Sequence, residues 1–221
     1  FAASFKESDF IELLELSDHL VFNSFDQLER FRPRWEAYNG KVSVGLRINP
    51  EHSEGHTAIY DPCAPCSRLG IPIAAFEGRS LDGVEGLHFH TLCEQLFEPL
   101  ERTVAVVEEK FGHYLHGLRW LNLGGGHHIT REGYDIDGLI ALIKRLKSTY
   151  GLDVYIEPDE ADVIGTGVLV AEVLDIINNG MDIAILDVSA TCHMPDVLEM
   201  PYRPEITGGE LPGVLPFTYR L

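Results

Sequence analysis

The chain has 221 residues, 45% of them hydrophobic, and carries 35 acidic against 17 basic residues, for a formal net charge of −18. This size suits a globular protein of one large domain or slightly more. The negative charge repels nucleic acid and anionic membranes and attracts a small cation, so we expect no nucleic-acid or membrane partner. No apolar run reaches the roughly 18 residues of a membrane helix. With only four cysteines as well, the composition predicts a cytoplasmic protein.

Strand-like and helix-like segments alternate through the first two thirds of the chain. The segment HLVFN (19–23) precedes a helical stretch, SFDQLERF, that Ser24 caps. Further strands are predicted at KVSVGLRIN (41–49), EGLHFH (85–90), LRWLNLGGG (118–126) and DVYIEP (153–158), separated by helical stretches such as EPLERTVAVVEEKFGHYL and DIDGLIALIKRLKSTY. Repeated β-then-α units predict an α/β fold with a parallel sheet. About five units are visible and a closed (β/α)₈ barrel takes about 250 residues, so we expect a partial TIM-type barrel.

The pattern changes after Pro158. Two β-rich runs, GVLVAEVLDIINNG and MDIAILDVSA, meet at Asn178-Asn179-Gly180, which is a hairpin turn signal. We therefore predict two domains: a partial barrel over residues 1–160 and an incomplete β-rich domain over residues 161–221.

Three groups of polar or glycine residues fall where predicted strands end: His90, the triplet Gly124, Gly125 and Gly126, and Glu157. Each has an ordinary explanation on its own, as a satisfied histidine, a tight turn or a solvated carboxylate. Parallel neighbouring strands would bring all three to one edge of the sheet. Glycine backbones can approach a phosphate, an imidazole can lie against a ring, and a carboxylate can hold a proton on a ring nitrogen. Pyridoxal phosphate uses all three features, so the sequence indicates this cofactor.

Several longer stretches resemble the carboxynorspermidine (carboxyspermidine) decarboxylase family. These pyridoxal-phosphate enzymes have the alanine racemase-like fold (fold type III) and are related to diaminopimelate and ornithine decarboxylases. The matching stretches are SDHLVFNSFDQLERF, CAPCSRLG, HFHTLCE, LNLGGGHHIT, EPDEA and ILDVSATCHMPDVLEMPYRPEI. The resemblance implies a partial alanine racemase-like barrel followed by the start of a β-rich C-terminal domain. It also implies decarboxylation of a cationic, carboxylated triamine to norspermidine or spermidine, by a homodimer in the complete enzyme.

The resemblance also implies roles for individual residues. His90 would stack on the cofactor ring, Gly124, Gly125 and Gly126 would bind its phosphate, and Glu157 would meet its pyridine nitrogen. His90 and Glu157 are therefore the candidate catalytic residues. Arg68 and Asp196 are candidates for binding the charged ends of the substrate, with a surface salt bridge and a helix N-cap as the respective alternatives.

The chain departs from the family pattern at two places. Asp159 stands where the family has glycine in Glu-Pro-Gly-Glu, and its negative charge should weaken phosphate binding nearby. None of the lysines fits the family's lysine that holds the cofactor as a Schiff base; they are Lys6, Lys41, Lys110, Lys144 and Lys147. The family's late cysteine and aspartate would lie beyond Leu221. We therefore expect a chain truncated at both ends that does not turn over on its own.

Several weaker patterns carry no assignment. Cys63 and Cys66 have redox or zinc spacing but no second pair follows, and the histidines around His88 and His127 suit a cofactor wall as well as a metal, so we assign no metal ligand. The hydrolase and P-loop signatures are missing from the sequence. Two further functions stay open beside the main one: a diaminopimelate- or ornithine-type decarboxylase, and a non-catalytic barrel protein that binds pyridoxal phosphate.

Overall fold

A computed structural model describes residues 1–55 and 58–221. The chain divides into two compact units, Phe1–Ile164 and Gly165–Leu221. The predicted domain boundary at residue 160 falls inside a short helix, Asp159–Val163, at the end of the first unit.

The first unit alternates strands and helices as its sequence predicts. Its strands are β1 (His19–Phe22), β2 (Ser43–Asn49), β3 (Ile71–Pro72), β4 (Gly86–His88), β5 (Trp120–Gly125) and β6 (Asp153–Glu157). Its α-helices are α1 (Phe10–Leu16), α2 (Phe25–Glu36), α3 (Phe97–Leu115), α4 (Ile136–Tyr150) and α5 (Asp159–Val163), and two short 3-10 turns cover Ala58–Tyr60 and Ile73–Phe76.

The strands form one parallel sheet in the order β1-β2-β4-β5-β6, and β3 pairs with β2 at the side. The predicted α/β class with a parallel sheet is confirmed. Because all these strands point the same way, their carboxyl ends share one edge, where folds of this kind place their functional groups.

The core lies between the sheet and its helices. In β2 every residue from Val44 to Asn49 is buried, as expected for a strand covered on both faces. Helix α3 buries Leu100, Val104, Val107 and Phe111, which recur every three or four positions and so form one face. Fully burying one such side chain stabilises the fold by about 1.5–3 kcal/mol.

Local signals set the helix ends. Ser24 Oγ accepts a hydrogen bond from the Gln27 backbone N–H at 3.1 Å, which confirms the predicted cap of α2. The Asp135 side chain caps α4 in the same way through Gly138. Gly151 ends α4 with a left-handed φ of 71°.

The second unit is a small β-rich body, as the sequence predicts. Strands β7 (Val173–Asn178) and β8 (Asp182–Leu186) form an antiparallel hairpin around the predicted Asn-Gly turn, and β9 (Tyr219–Arg220) pairs with β8 in parallel. Two short helices follow β8, α6 (Ala190–His193) and α7 (Asp196–Glu199). Among the residues that the structure describes, no helix is long and apolar enough to cross a membrane.

Candidate active site

Three neighbouring strands bring titratable side chains together at the carboxyl edge of the sheet. His88 ends β4, His90 follows it by two residues, and Glu157 ends β6. The Glu157 carboxylate lies 3.8 Å from His88 Nε2 and 3.8 Å from His90 Nδ1. The end of β5 lies between these strands, with Gly125 paired to Glu157. The structure thus places His90, the glycine triplet and Glu157 at one edge.

The Glu157 carboxylate is held in place but remains accessible. Its side chain is 47% exposed, and its Oε1 accepts a hydrogen bond of 2.8 Å from Asn122 Nδ2. Asn122 lies on β5 between two buried leucines. Asn122 was not predicted from the sequence, although a single amide between Leu121 and Leu123 was a usable signal.

Both histidines are kept neutral. Burial, helped by the positive charge of Arg47, lowers the pKa of His88 to about 3, since this side chain is only 2% exposed. Burial and Arg47 also lower the pKa of His90, although Glu157 and Asp159 oppose that shift. His88 Nε2 and Glu157 are therefore close without forming an ion pair at neutral pH. His88 offers an uncharged imidazole whose two nitrogens are buried without a hydrogen bond.

A buried arginine underlies the site and was missed from the sequence. Arg47 lies on β2, is 6% exposed, and donates from Nη2 to the His90 carbonyl oxygen at 3.2 Å. Burial lowers the pKa of its guanidinium, and the Glu157 carboxylate is one of the charges that oppose this shift. The available signal was a lone cation within the buried run VGLRIN, since arginine is seldom buried without a partner.

The glycine triplet is required by backbone packing. A Cβ on Gly124 would lie 2.3 Å from the Phe89 carbonyl oxygen, and one on Gly126 would lie 2.3 Å from the Leu92 carbonyl oxygen. Both glycines also have positive φ, 71° and 80°. These two glycines therefore let the loop after β4 pass directly against the end of β5.

The backbone donors of the triplet differ in their availability. The Gly124 N–H donates to the side chain of Asn122, two residues earlier in the chain, at 2.8 Å from Oδ1. The Gly125 N–H makes a long contact of 3.4 Å with His90 Nδ1. The Gly124 carbonyl lies 2.8 Å from Nε2 of the buried His127, which fixes the orientation of that peptide.

The two candidate substrate residues lie in different units. Arg68 is exposed, and its carbonyl accepts a hydrogen bond of 2.7 Å from Asn23 Nδ2 at the end of β1. Asn23 Oδ1 also accepts from the Gly70 N–H, so this amide holds the Arg68 loop at the carboxyl end of the sheet. Asp196 is the first residue of α7, in the second unit.

Asp159 begins α5 directly after Pro158. Its Oδ1 accepts a hydrogen bond of 3.0 Å from the Glu160 N–H, and its charge raises the pKa of His90 against the effect of burial. Its negative charge thus acts on this site.

Among the described residues, no lysine makes a hydrogen bond or ion pair with His88, His90 or Glu157. Lys110 and Lys147 are bound to Glu51 and Asp153, while Lys6, Lys41 and Lys144 are exposed.

Two groups of side chains among the described residues have donor atoms close enough to hold a metal ion. One is His88, His90 and Glu157; the other is Glu94, His128 and Glu160. In each group the donor atoms lie within 4.8 Å of one another.

Comparison with known proteins gives long matches at substantial identity. The chain is 46% identical over 211 residues to a carboxynorspermidine/carboxyspermidine decarboxylase of Campylobacter jejuni, which covers 96% of this chain and 54% of the relative. A crystal structure of carboxynorspermidine decarboxylase from the same species, complexed with norspermidine, matches with a TM-score of 0.81 over 92% of this chain and 52% of that one. The chain belongs to the carboxynorspermidine/carboxyspermidine decarboxylase family.

Members and relatives of this decarboxylase family differ in substrate. A carboxyaminopropylagmatine decarboxylase of Synechocystis is 42% identical over 100% of this chain and 57% of its own length. A diaminopimelate decarboxylase structure matches with a TM-score of 0.71 at 19% identity, over 89% of this chain and 50% of that one, which shows the shared fold. The chain therefore has part of the alanine racemase-like fold, as predicted. It spans about half the length of the relatives it matches. No protein-family profile matches the chain.

Proposed function

We propose that this chain is part of a pyridoxal-phosphate-dependent decarboxylase that converts carboxynorspermidine or carboxyspermidine to norspermidine or spermidine. The observation that carries the proposal is the 46% identity across 96% of the chain with a decarboxylase of that name. The carboxylate and neutral imidazoles at the sheet edge support it, because they suit a cationic heteroaromatic ring.

The donor set fits the ring of pyridoxal phosphate. Glu157 presents an oxygen that can accept a hydrogen bond from the protonated ring nitrogen while Asn122 holds its other oxygen. A carboxylate there favours the protonated ring. Partial burial and the nearby Arg47 lower the pKa of His90, so its imidazole can lie against the ring without repelling a positive charge. Bound pyridoxal phosphate would supply an electron sink for the electron pair left when carbon dioxide departs.

The glycine loop fits the phosphate end. The contact of the Gly125 N–H with His90 is long and can give way to an anion, and we assign the phosphate to Gly125 and Gly126. Gly124 was predicted as a third donor. Its N–H is already bound to Asn122, so its part is to shape the turn.

The substrate would be bound through its charges. The exposed Arg68 guanidinium can bind a carboxylate, and Asp196 can bind an amine of the triamine. The chain's charge of −18 suits a substrate with several positive amines. We place the complete enzyme in the cytoplasm as a homodimer. The present chain alone should not turn over, because its lysines are exposed or paired away from the site.

Carboxyaminopropylagmatine is the second candidate substrate, since a decarboxylase named for it is 42% identical across this whole chain. An activity assay has to distinguish the proposed function from two others. These are decarboxylation of diaminopimelate or ornithine, and binding of the cofactor without catalysis.

The test is carbon dioxide release by the protein encoded by the complete reading frame, with each carboxylated amine offered separately. We expect turnover of carboxynorspermidine and carboxyspermidine well above that of diaminopimelate and ornithine. Glu157→Gln should lower kcat by about 100-fold or more, because it removes the negative charge that keeps the ring nitrogen protonated. Preference for diaminopimelate, ornithine or carboxyaminopropylagmatine, or binding of cofactor without turnover of any substrate, would overturn the proposal.

A further inference from the structure

We propose that Glu94, His128 and Glu160 form a second site, which binds a divalent transition metal of the zinc class. Their donor atoms lie within 4.8 Å of one another, and none of the three belongs to the group around Glu157. This proposal does not depend on the proposed decarboxylase activity.

Hydrogen bonds between loops position the three side chains. The Gln95 N–H donates to the Gly126 carbonyl at 3.0 Å, and the His128 N–H donates to the Gln95 carbonyl at 3.1 Å. These two bonds join the loop after β4 to the loop after β5, next to Glu94 and His128. Thr130 Oγ1 donates to the Ala161 carbonyl, which joins the second loop to α5 and so to Glu160. The site is therefore built within the first unit by its own backbone.

The ring of His128 is the observation that points to a ligand. Its side chain is 10% exposed, and its Nε2 is buried without a hydrogen bond. Glu160 Oε2 lies 3.1 Å from that nitrogen, but in an orientation that makes no hydrogen bond. A buried polar atom left without a partner destabilises the fold, because it has lost its hydrogen bond to water. A metal ion bound to this nitrogen would give it a partner, and the carboxylates of Glu94 and Glu160 would be the other ligands.

The spacing fits two ligands of one zinc ion. Zinc bonds of about 2.0–2.1 Å in tetrahedral geometry separate two ligand atoms by roughly 3.3 Å. The 3.1 Å between His128 Nε2 and Glu160 Oε2 is close to that value. Glu94 and Glu160 are exposed, so their side chains can turn to complete the coordination.

The donor types select the kind of metal. Calcium and magnesium prefer oxygen ligands throughout, whereas an imidazole favours zinc and its neighbours among the transition metals. Two carboxylates and one neutral imidazole balance the charge of a divalent ion. Three protein ligands leave a position for water. The alternative is a simple ion pair between His128 and Glu160, in which Glu94 has no part.

Calorimetric titration of zinc chloride into the purified chain, after treatment with chelator and dialysis, tests the site. We expect one bound zinc with a dissociation constant of about 1 μM or lower. Glu94→Gln and Glu160→Gln should each weaken binding by about tenfold or more. Glu132→Gln, which changes an exposed carboxylate of the loop after β5, is the matched control and should leave binding unchanged.

Three results would overturn the proposal. The first is absence of zinc binding at a protein concentration of about 100 μM. The second is binding that Glu94→Gln and Glu160→Gln leave unchanged. The third is binding that only Glu157→Gln weakens, which would place the metal in the other group. Circular dichroism checks that each variant is folded. If a variant fails to fold, the visible absorption of cobalt(II) bound to the unaltered chain decides, because four-coordinate nitrogen and oxygen ligation absorbs far more strongly than hydrated cobalt.

Discussion

Replacing Gly126 with alanine tests whether backbone packing is what requires the glycine triplet. The new Cβ would lie 2.3 Å from the Leu92 carbonyl oxygen and 2.4 Å from the Leu92 carbonyl carbon, both of them backbone atoms. It would also stand on a residue with φ of 80°. Both effects act on the folded state, and neither requires a bound ligand.

The two costs can be estimated separately. A left-handed backbone conformation costs a residue with a Cβ about 1–2 kcal/mol. Forcing an extra carbon against fixed neighbours costs about another 1–3 kcal/mol. Gly126→Ala should therefore lower the free energy of unfolding by about 2–5 kcal/mol.

Gly151→Ala is the matched control. Gly151 has a similar φ of 71°, but its Cβ would have no neighbour within 4 Å, so only the conformational cost of about 1–2 kcal/mol applies. Urea unfolding followed by tryptophan fluorescence gives both values, because Trp35 and Trp120 both lie in the first unit. If Gly126→Ala destabilises the chain no more than Gly151→Ala, backbone packing is not what requires glycine at position 126.

Three further outcomes concern charge at the site. Arg47→Met should raise the pKa of His88 and of His90, because the guanidinium charge helps to lower both; unchanged values in an NMR titration would leave burial as the whole cause. The free energy of unfolding should fall as the pH drops from about 6.5 towards about 4.5, by up to about 1.4 kcal/mol per pH unit. The reason is that His88 is protonated over this range in the unfolded chain but stays neutral in the native state, where its pKa is about 3. His88→Asn should flatten that slope in urea unfolding at several pH values, and a slope that stays as steep would exclude His88 as its source. Asp159→Gly and Asp159→Asn should both tighten binding of pyridoxal phosphate in a fluorescence titration by removing a negative charge, whereas an unchanged dissociation constant would show that the charge has no effect on the phosphate.

The sequence was sufficient to predict the sheet and its direction. Apolar runs such as the one ending at Asn49 alternate with helical periods, and this pattern depends only on local order. The Ser24 cap and the hairpin at Gly180 were predictable for the same reason, since each depends on a few adjacent residues.

The details of the site depended on contacts between distant segments. The lone cation in VGLRIN marks Arg47 as unusual, but its partner is set by the pairing of β2 with β4, which brings its guanidinium to the His90 carbonyl. The same limit applies to the need for Gly126, which arises from a carbonyl 34 residues earlier in the chain, at Leu92. Residue types and local spacing do not encode such approaches.

The close approach at Gly124 and Gly126 has a consequence for how related sequences are interpreted. Each glycine is required by a neighbouring carbonyl that is present whether or not a cofactor is bound. A descendant of this family that had lost its catalytic groups would still need both glycines in order to fold. The glycine triplet therefore marks ancestry and architecture, while the role proposed for Glu157 makes its carboxylate the position to inspect when asking whether a related gene still encodes a working enzyme.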